Sequence, residues 1–214
     1  NQTSVFFDEA SKELLWYNLS DAYCHHFGPG RLFNFKTDKD LLYLGYTEKE
    51  GGQYVALLQA PDTKEVYLAR FSLYDQLYYE KITAPMIDKA EQFALHPAVG
   101  TLLYSIGEQL YAVDETAKES RLLATFDGAV ISKIKFNSFL TLIPTDHAYT
   151  GKTANEERYK TLQNQLIVCT YNPLLTDASG TFTLFDVDLN QWTLQERFSQ
   201  EGLSKIVDVV YKER

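Results

Sequence analysis

Short apolar segments separated by turn residues recur along this chain, and the clearest copy is residues 91–127, EQFALHPAVGTLLYSIGEQLYAVDETAKESRLLATFD. Its pieces EQFALHP, TLLYSIG, QLYAVD and RLLATFD predict four short strands joined by tight turns. Four strands in one antiparallel meander form the blade of a β-propeller. The chain is therefore expected to be all-β and to be built by repeating this unit.

Imperfect copies lie on both sides of the central unit. Residues 40–84 give a second full meander, DLLYLGYTE, QYVALLQAP, EVYLARFSL and QLYYEKITA. The chain opens with SVFFDEASKELLWYN, which predicts strand, turn and strand, with a weaker strand in AYCHHF. Residues 27–40, FGPGRLFNFKTDKD, are predicted to be a loop-rich connector because they carry Gly-Pro-Gly and a charged run.

The last unit is interrupted. ISKIKFNSFLTLIP is expected to be extended, and the polar stretch 145–164 that follows is predicted to be an inserted loop, with a short helix as the alternative. The meander resumes with QLIVCTYNP, TFTLFDVD and TLQERFS, and KIVDVVYKER is predicted to be one more strand. No segment holds a helical apolar period, which disfavours helical and α/β folds.

The third strand of each unit aligns best. LWYNL, VYLAR, LYAVD and LFDVD place Trp16, Tyr67, Tyr111 and Phe185 in equivalent positions. The intervals approach the roughly 40–50 residues typical of four-stranded blades, once the insertion in the last interval is removed. An immunoglobulin-like sandwich lacks this recurrence. We therefore predict a single propeller-like domain over residues 1–214.

The two ends of the chain are complementary. The first unit starts at SVFFDEA, the equivalent of a second strand, so it lacks an innermost strand, while KIVDVVYKE has no unit of its own. Pairing these ends would close a ring of about four blades and remove exposed edges. Alternatively, the chain is the C-terminal arc of a larger propeller. The sequence leaves both readings open.

Composition narrows the class of partner. The net charge of −9 argues against general affinity for nucleic acid or an anionic membrane surface. The chain has 15 Tyr and 13 Phe, which suits pleated, half-buried surfaces. No apolar run approaches the length of a membrane span.

Two groups of residues are candidates for metal binding or for a disulfide bond. Cys24, His25 and His26 are metal-ligand types, but neighbours on a strand point to opposite faces, so strand packing is the preferred interpretation and no metal is expected. Cys24 and Cys169 could form a disulfide in an exported protein, although Cys169 lies in QLIVCTY, where a free thiol would pack as a small apolar group.

The insertion collects polar and aromatic types, and long loops are often functional. It contains Asp146, His147, Tyr149, Glu156, Glu157, Arg158 and Tyr159. No nucleophile pairs with a base at a recognisable spacing, and no phosphate-binding glycine loop occurs, so we expect no catalytic residues and no cofactor.

Propeller connectivity sorts the loops between two sides. Connections from second to third strand and from fourth strand to the next unit share one side, and the insertion lies on the other. The first side would carry residues 27–40, 61–64, 85–89, 127–129, 172–180 and 200–204. Five aspartates there could ring a channel or hold Ca²⁺: Asp38, Asp40, Asp62, Asp88 and Asp177. We name these five, with Trp16, Tyr149 and Arg158, as candidate ligand-binding residues.

Several stretches resemble the C-terminal region of the PKD-like family of lipoproteins of gut Bacteroidetes. They are GRLFNFKTDKDLLYLGYT, YVALLQAPDTKEVYLARF, AEQFALHPAVGTLLYSIGEQLYAVD and IVDVVYKER, and the resemblance runs through most of 31–214. It implies an exported protein of the cell envelope, outer-membrane-attached or periplasmic, with immunoglobulin-like modules ahead of a propeller-like region and a lipid anchor outside this chain. The family supplies no activity or catalytic residues.

Three functions follow as hypotheses. The first is a non-catalytic, envelope-associated propeller that binds a glycan or a protein. The second is a polysaccharide-acting enzyme that uses two carboxylates on a propeller face. The third is a structural or assembly module with a flat apolar patch.

Overall fold

A computed structural model describes residues 3–8, 13–18, 31–36, 42–49, 53–72, 78–96, 101–113, 119–136 and 164–209, with side chains in 55–70, 80–96, 101–113, 119–136 and 164–209. The described strands form four antiparallel sheets in chain order, which we name A to D. Sheet A contains β1 (Thr3–Asp8), β2 (Glu13–Asn18) and β3 (Arg31–Lys36). Sheet B contains β4 (Leu42–Lys49), β5 (Gln53–Gln59), β6 (Val66–Ser72) and β7 (Tyr78–Lys81).

Sheets C and D repeat the order of sheet B. Sheet C contains β8 (Gln92–Leu95), β9 (Leu102–Ile106), β10 (Gln109–Val113) and β11 (Ser120–Thr125). Sheet D contains β12 (Val130–Phe136), β13 (Gln165–Tyr171), β14 (Gly180–Asp188) and β15 (Thr193–Leu203). Each of B, C and D is a four-stranded meander of sequential neighbours, so the predicted blade unit is confirmed.

The alignment of third strands is confirmed in these three sheets. Tyr67 lies on β6, Tyr111 on β10 and Phe185 on β14, and each of these strands is third in its sheet. Trp16 lies on β2, the middle strand of the three described in sheet A. The chain is thus an all-β protein of propeller blades.

The prediction of a connector over residues 27–40 is wrong in its central part. Arg31–Lys36 forms β3, which pairs along its whole length with β2. RLFNFK contains two phenylalanines and a leucine, which favour a strand, but this short signal is flanked by Gly-Pro-Gly and a charged run that outweighed it. The predicted strand AYCHHF lies outside the described residues.

The predicted final strand is also wrong over its described part. Residues 204–209 form no strand, and Thr3–Asp8 pairs with Asn18–Glu13. One of the two open readings paired the end of the chain with its first strand, and residues 204–209, the described part of that end, form no such pairing. The segment instead lies against sheet D. There Lys135 donates to the backbone carbonyl of Val209, and Lys133 forms an ion pair with Asp208.

Two separate apolar clusters join neighbouring sheets. The first joins sheets B and C, with Leu57 and Leu68 on one side and Leu102 and Tyr104 on the other. The second joins sheet C to sheet D, and its members from sheet C include Leu103. Residues next to each other on β9 thus face different neighbours, so sheet C is buried on both faces. Full burial of one such side chain stabilises the fold by roughly 1.5–3 kcal/mol.

Sheet B is buried on its other face as well. Ala56, Leu58, Tyr67 and Ala69 are each exposed by 3% or less, and they lie opposite the cluster shared with sheet C. Sheet A approaches sheet B through contact between β1 and β4. First strands β4, β8 and β12 contact one another in sequence, as the inner strands of successive blades do. In the described part of the chain, no helix is long and apolar enough to cross a membrane.

Candidate functional site

Chain reversals of sheets B, C and D gather on one side, which we call the connector face: residues 60–65, 82–91, 107–108, 126–129 and 172–179. Backbone hydrogen bonds join these reversals within each sheet and between sheets. Ile82 N donates to Val66 O at 2.8 Å, and Phe126 N donates to Glu108 O at 2.9 Å. Ile131 N donates to Gly107 O at 2.9 Å, which connects sheet D to sheet C.

The link between sheets B and C uses a buried tyrosine. Tyr104 is fully buried, and its hydroxyl donates to Pro85 O at 3.0 Å. Burial raises the pKa of Tyr104, so the phenol stays protonated and able to donate. The strand order confirms the predicted placement of residues 61–64, 85–89, 127–129 and 172–179 on one side, while Gly180 begins β14. Residues 200–203 belong to β15 instead.

The connector face exposes large apolar side chains. Leu174 is 89% exposed and Leu175 57%, and Met86, in the connection between sheets B and C, is 46% exposed. Isolated apolar side chains are common on protein surfaces, but two neighbouring exposed leucines at a loop tip form an apolar surface that a partner can bury.

The turn that presents the leucines is ordered by its own hydrogen bonds. Leu174 N donates to Asn172 Oδ1 at 2.9 Å, and Leu175 N donates to Asn172 O at 3.2 Å. An Asn side chain that bonds the backbone two residues on is a standard turn device, and Pro173 restricts the backbone between them. The turn therefore exposes both leucines before any partner binds. Binding through them would consequently cost little backbone entropy.

Three of the five candidate ligand-binding aspartates lie among the described residues. Asp62, Asp88 and Asp177 are exposed on or beside the connector face. Among described residues, no three His, Cys, Asp or Glu side chains converge as a metal site would require, so these three do not form the calcium site considered above. Asp38 and Asp40 lie outside the described residues.

The remaining candidates are placed only in part. Trp16 is on β2, but its side chain is outside the described set, and Tyr149 and Arg158 lie outside it entirely. Cys169 is a free, fully buried thiol, so it packs as predicted, while Cys24 lies outside the described residues. Burial raises the pKa of the Cys169 thiol to about 11, which keeps it unreactive near neutral pH.

The opposite side carries a buried histidine that the sequence did not single out. His96 is 3% exposed and lies edge-on to Phe136 of sheet D, with ring centroids 4.9 Å apart. Its Nε2 donates to Asn164 Oδ1 at 2.9 Å. Burial lowers the pKa of His96, partly offset by this hydrogen bond, so the ring is neutral and joins sheets C and D.

Sequence reasoning missed Leu174 and Leu175 for a specific reason. Their segment NPLLTDASG was recognised as a long turn, and only its aspartate was considered for binding. The available signal was two adjacent leucines inside a run of turn formers, where no strand could bury them.

Comparison with solved structures gives β-propellers at low sequence identity. The β-propeller domain of Cps50 (Swd1) from Myceliophteria thermophila is 11% identical, with a TM-score of 0.49, over 92% of this chain and 55% of that one. The WD40 domain of SCAP from fission yeast is 8% identical, with a TM-score of 0.45, over 94% of this chain and 49% of that one. A chain of the mitotic checkpoint complex is 8% identical, with a TM-score of 0.41, over 92% and 51%.

This chain spans about half the length of those solved chains. No protein-family model matches it, and no curated protein sequence matches it significantly.

Proposed function

We propose that this protein is a non-catalytic binding module of the cell envelope, and that its connector face contacts a protein partner. The observation that carries the proposal is the exposure of Leu174 and Leu175, 89% and 57%, on a turn fixed by Asn172. Preformed apolar groups of this kind anchor protein interfaces, because they bury area without first losing backbone freedom.

The surroundings of the leucines favour a protein surface. The exposed carboxylates Asp62, Asp88 and Asp177 lie on the same face, with the exposed cations Lys64 and Lys89 among them. Mixed charges around apolar anchors give an interface a polar rim that fixes orientation. Association with the envelope belongs to the same proposal and is supported by the resemblance of residues 31–214 to envelope lipoproteins.

A paired-variant capture experiment tests this function. The intact protein, the double variant Leu174→Ser/Leu175→Ser and the control Leu122→Ser are cross-linked to an envelope extract, and captured proteins are quantified by mass spectrometry. Leu122 on β11 is 50% exposed, so it matches the test site in exposure but lies away from the connector face. We expect capture of one defined protein to fall by about tenfold or more in the double variant only.

Equal capture by all three proteins would refute the proposed face. A glycan array run with the same three proteins tests the alternative hypothesis that the ligand is a carbohydrate. Glycan binding that survives the double variant would assign ligand recognition elsewhere on the molecule.

A further inference from the structure

The connector face carries an excess of negative charge. Its cations are Lys64 and Lys89, and six of its carboxylates form no ion pair with a described residue: Asp62, Asp88, Glu91, Glu108, Asp127 and Asp177. Over the other described side chains of the molecule, carboxylates and cations are equal in number. Negative charge is therefore gathered on the side that exposes Leu174 and Leu175.

Backbone hydrogen bonds bring three of these carboxylate residues to one end of sheet C. Glu91 N donates to Ser105 O at 2.9 Å, which places Glu91 beside the end of β9. Phe126 N donates to Glu108 O at 2.9 Å, so Asp127 lies next to the turn that carries Glu108. The positions of the three residues are thus fixed by the sheet itself.

The negative charge is least balanced in sheets C and D, next to the leucines. Residues 107–108, 126–129 and 172–179 contain Glu108, Asp127 and Asp177 but no lysine or arginine. Like charges gathered without cations lower the stability of a fold through their repulsion, and an oppositely charged surface placed over them relieves it.

The distribution of the carboxylates suits a broad cationic surface better than a single ion. Among the described residues, no three acidic, histidine or cysteine side chains converge on one point as metal ligands do. The carboxylates instead lie along several chain reversals, around a turn that exposes Leu174 and Leu175. A protein surface that covers the leucines would also cover their charged surroundings.

We propose that the partner of the connector face is a basic protein, with an apolar recess for Leu174 and Leu175 that lysine or arginine side chains border; the choice of face rests on the function proposed above. Asp177 lies in the same turn as the leucines and reaches the border of such a recess first. Apolar anchors surrounded by one sign of charge select a partner of the opposite sign, because like charges across an interface repel. The negative face also speeds the encounter with a basic partner, most strongly at low ionic strength.

Two synthetic peptides with the same leucine pattern test the charge of the partner surface. One carries lysine at every polar position and the other carries glutamate, so the two differ only in charge. We expect the intact protein to bind the lysine peptide about tenfold or more tightly than the glutamate peptide, measured by fluorescence anisotropy at low salt. This affinity should fall as salt is added, because ions screen exposed charges.

Matched variants locate the effect on the molecule. Glu108→Gln/Asp127→Asn removes two charges from the connector face, and the control Glu119→Gln/Glu196→Gln removes two charges elsewhere. We expect the first variant to bind the lysine peptide about three- to tenfold more weakly, with a flatter salt dependence, and the control to change by less than about twofold. Both variants keep the shape of the replaced side chains, and circular dichroism verifies that both fold.

Equal affinity for the two peptides, or no binding of the lysine peptide, would overturn the basic partner. An equal loss in the two charge variants would overturn it as well, because the peptide would then respond only to net charge. Any of these results together with leucine-dependent capture from the extract would retain the connector face but not the charge of its partner. Capture unaffected by Leu174→Ser/Leu175→Ser would instead refute the contact face itself.

Discussion

At the scale of single residues, His96 shows how the contact between sheets C and D depends on protonation. The ring is buried between Thr101, whose carbonyl accepts its backbone N–H at 2.8 Å, and Phe136 of sheet D. A positive charge there would lose its hydration, and the amide of Asn164, which the ring contacts, carries no charge. The neutral ring is therefore the form that the fold stabilises.

We therefore predict that the free energy of unfolding decreases as the pH falls. Because the pKa of His96 is lowered in the folded protein from 6.5, the unfolded chain takes up the proton first as the pH falls below about 6.5. Its contribution to stability is complete above that pH and declines as the pH drops toward the lowered value. Urea unfolding from about pH 7.5 to 5.5 should show a steeper loss for the intact protein than for His96→Asn. Equal slopes would contradict this role.

At the scale of secondary-structure elements, the path of residues 204–209 depends on Gly180. A Cβ at position 180 would lie 2.3 Å from Ser204 O and 2.8 Å from Leu203 O, both backbone atoms. No side-chain rotation relieves such contacts, so only glycine lets the chain turn from β15 across the start of β14. The segment then reaches Lys133 and Lys135 on β12.

Gly180→Ala should accordingly displace the segment from sheet D. We expect a loss of about 1–3 kcal/mol in the free energy of unfolding and faster amide exchange at residues 204–209. The neighbouring Ser179→Ala should stay within about 0.5 kcal/mol of the original protein. Unchanged exchange at residues 204–209 in Gly180→Ala would show that the glycine is not needed there.

The elements also show what sequence alone could predict. Continuous apolar runs flanked by strong turns, such as QYVALLQ and TLLYSIG, were recognised because local pattern and tertiary burial agree in them. β3 was missed because its three apolar residues lie between stronger loop signals. The path of residues 204–209 depended on lysines far away in sequence, and no local pattern reports such contacts.

The candidate site was predictable in location but not in composition. Connectivity alone placed the connections from second to third strand and from fourth strand to the next sheet on one side, since up-and-down strands allow no other arrangement. Which residues on that side are exposed depends on how each turn folds, and the Asn172 turn that turns Leu174 outward is visible only in three dimensions. The aspartates were singled out by residue type, and the structure does not bring the described ones together as a metal site.

At the scale of the whole molecule, the described sheets pack on their neighbours in chain order. Sheet C separates the two apolar clusters, with Leu102 facing sheet B and Leu103 facing sheet D. A two-layer sandwich would instead merge apolar side chains from sheets distant in sequence into one core. This difference separates a propeller arc from other all-β folds of the same strand content.

Methyl–methyl NOEs in a selectively labelled sample measure this arrangement directly. We expect NOEs between sheets B and C, from Leu57 or Leu68 to Leu102, and between sheets C and D, from Leu103 to Ile131 or Ile134. NOEs joining Leu57 or Leu68 of sheet B to Leu166 or Val168 of sheet D would place both sheets around one core, and that result would contradict the propeller.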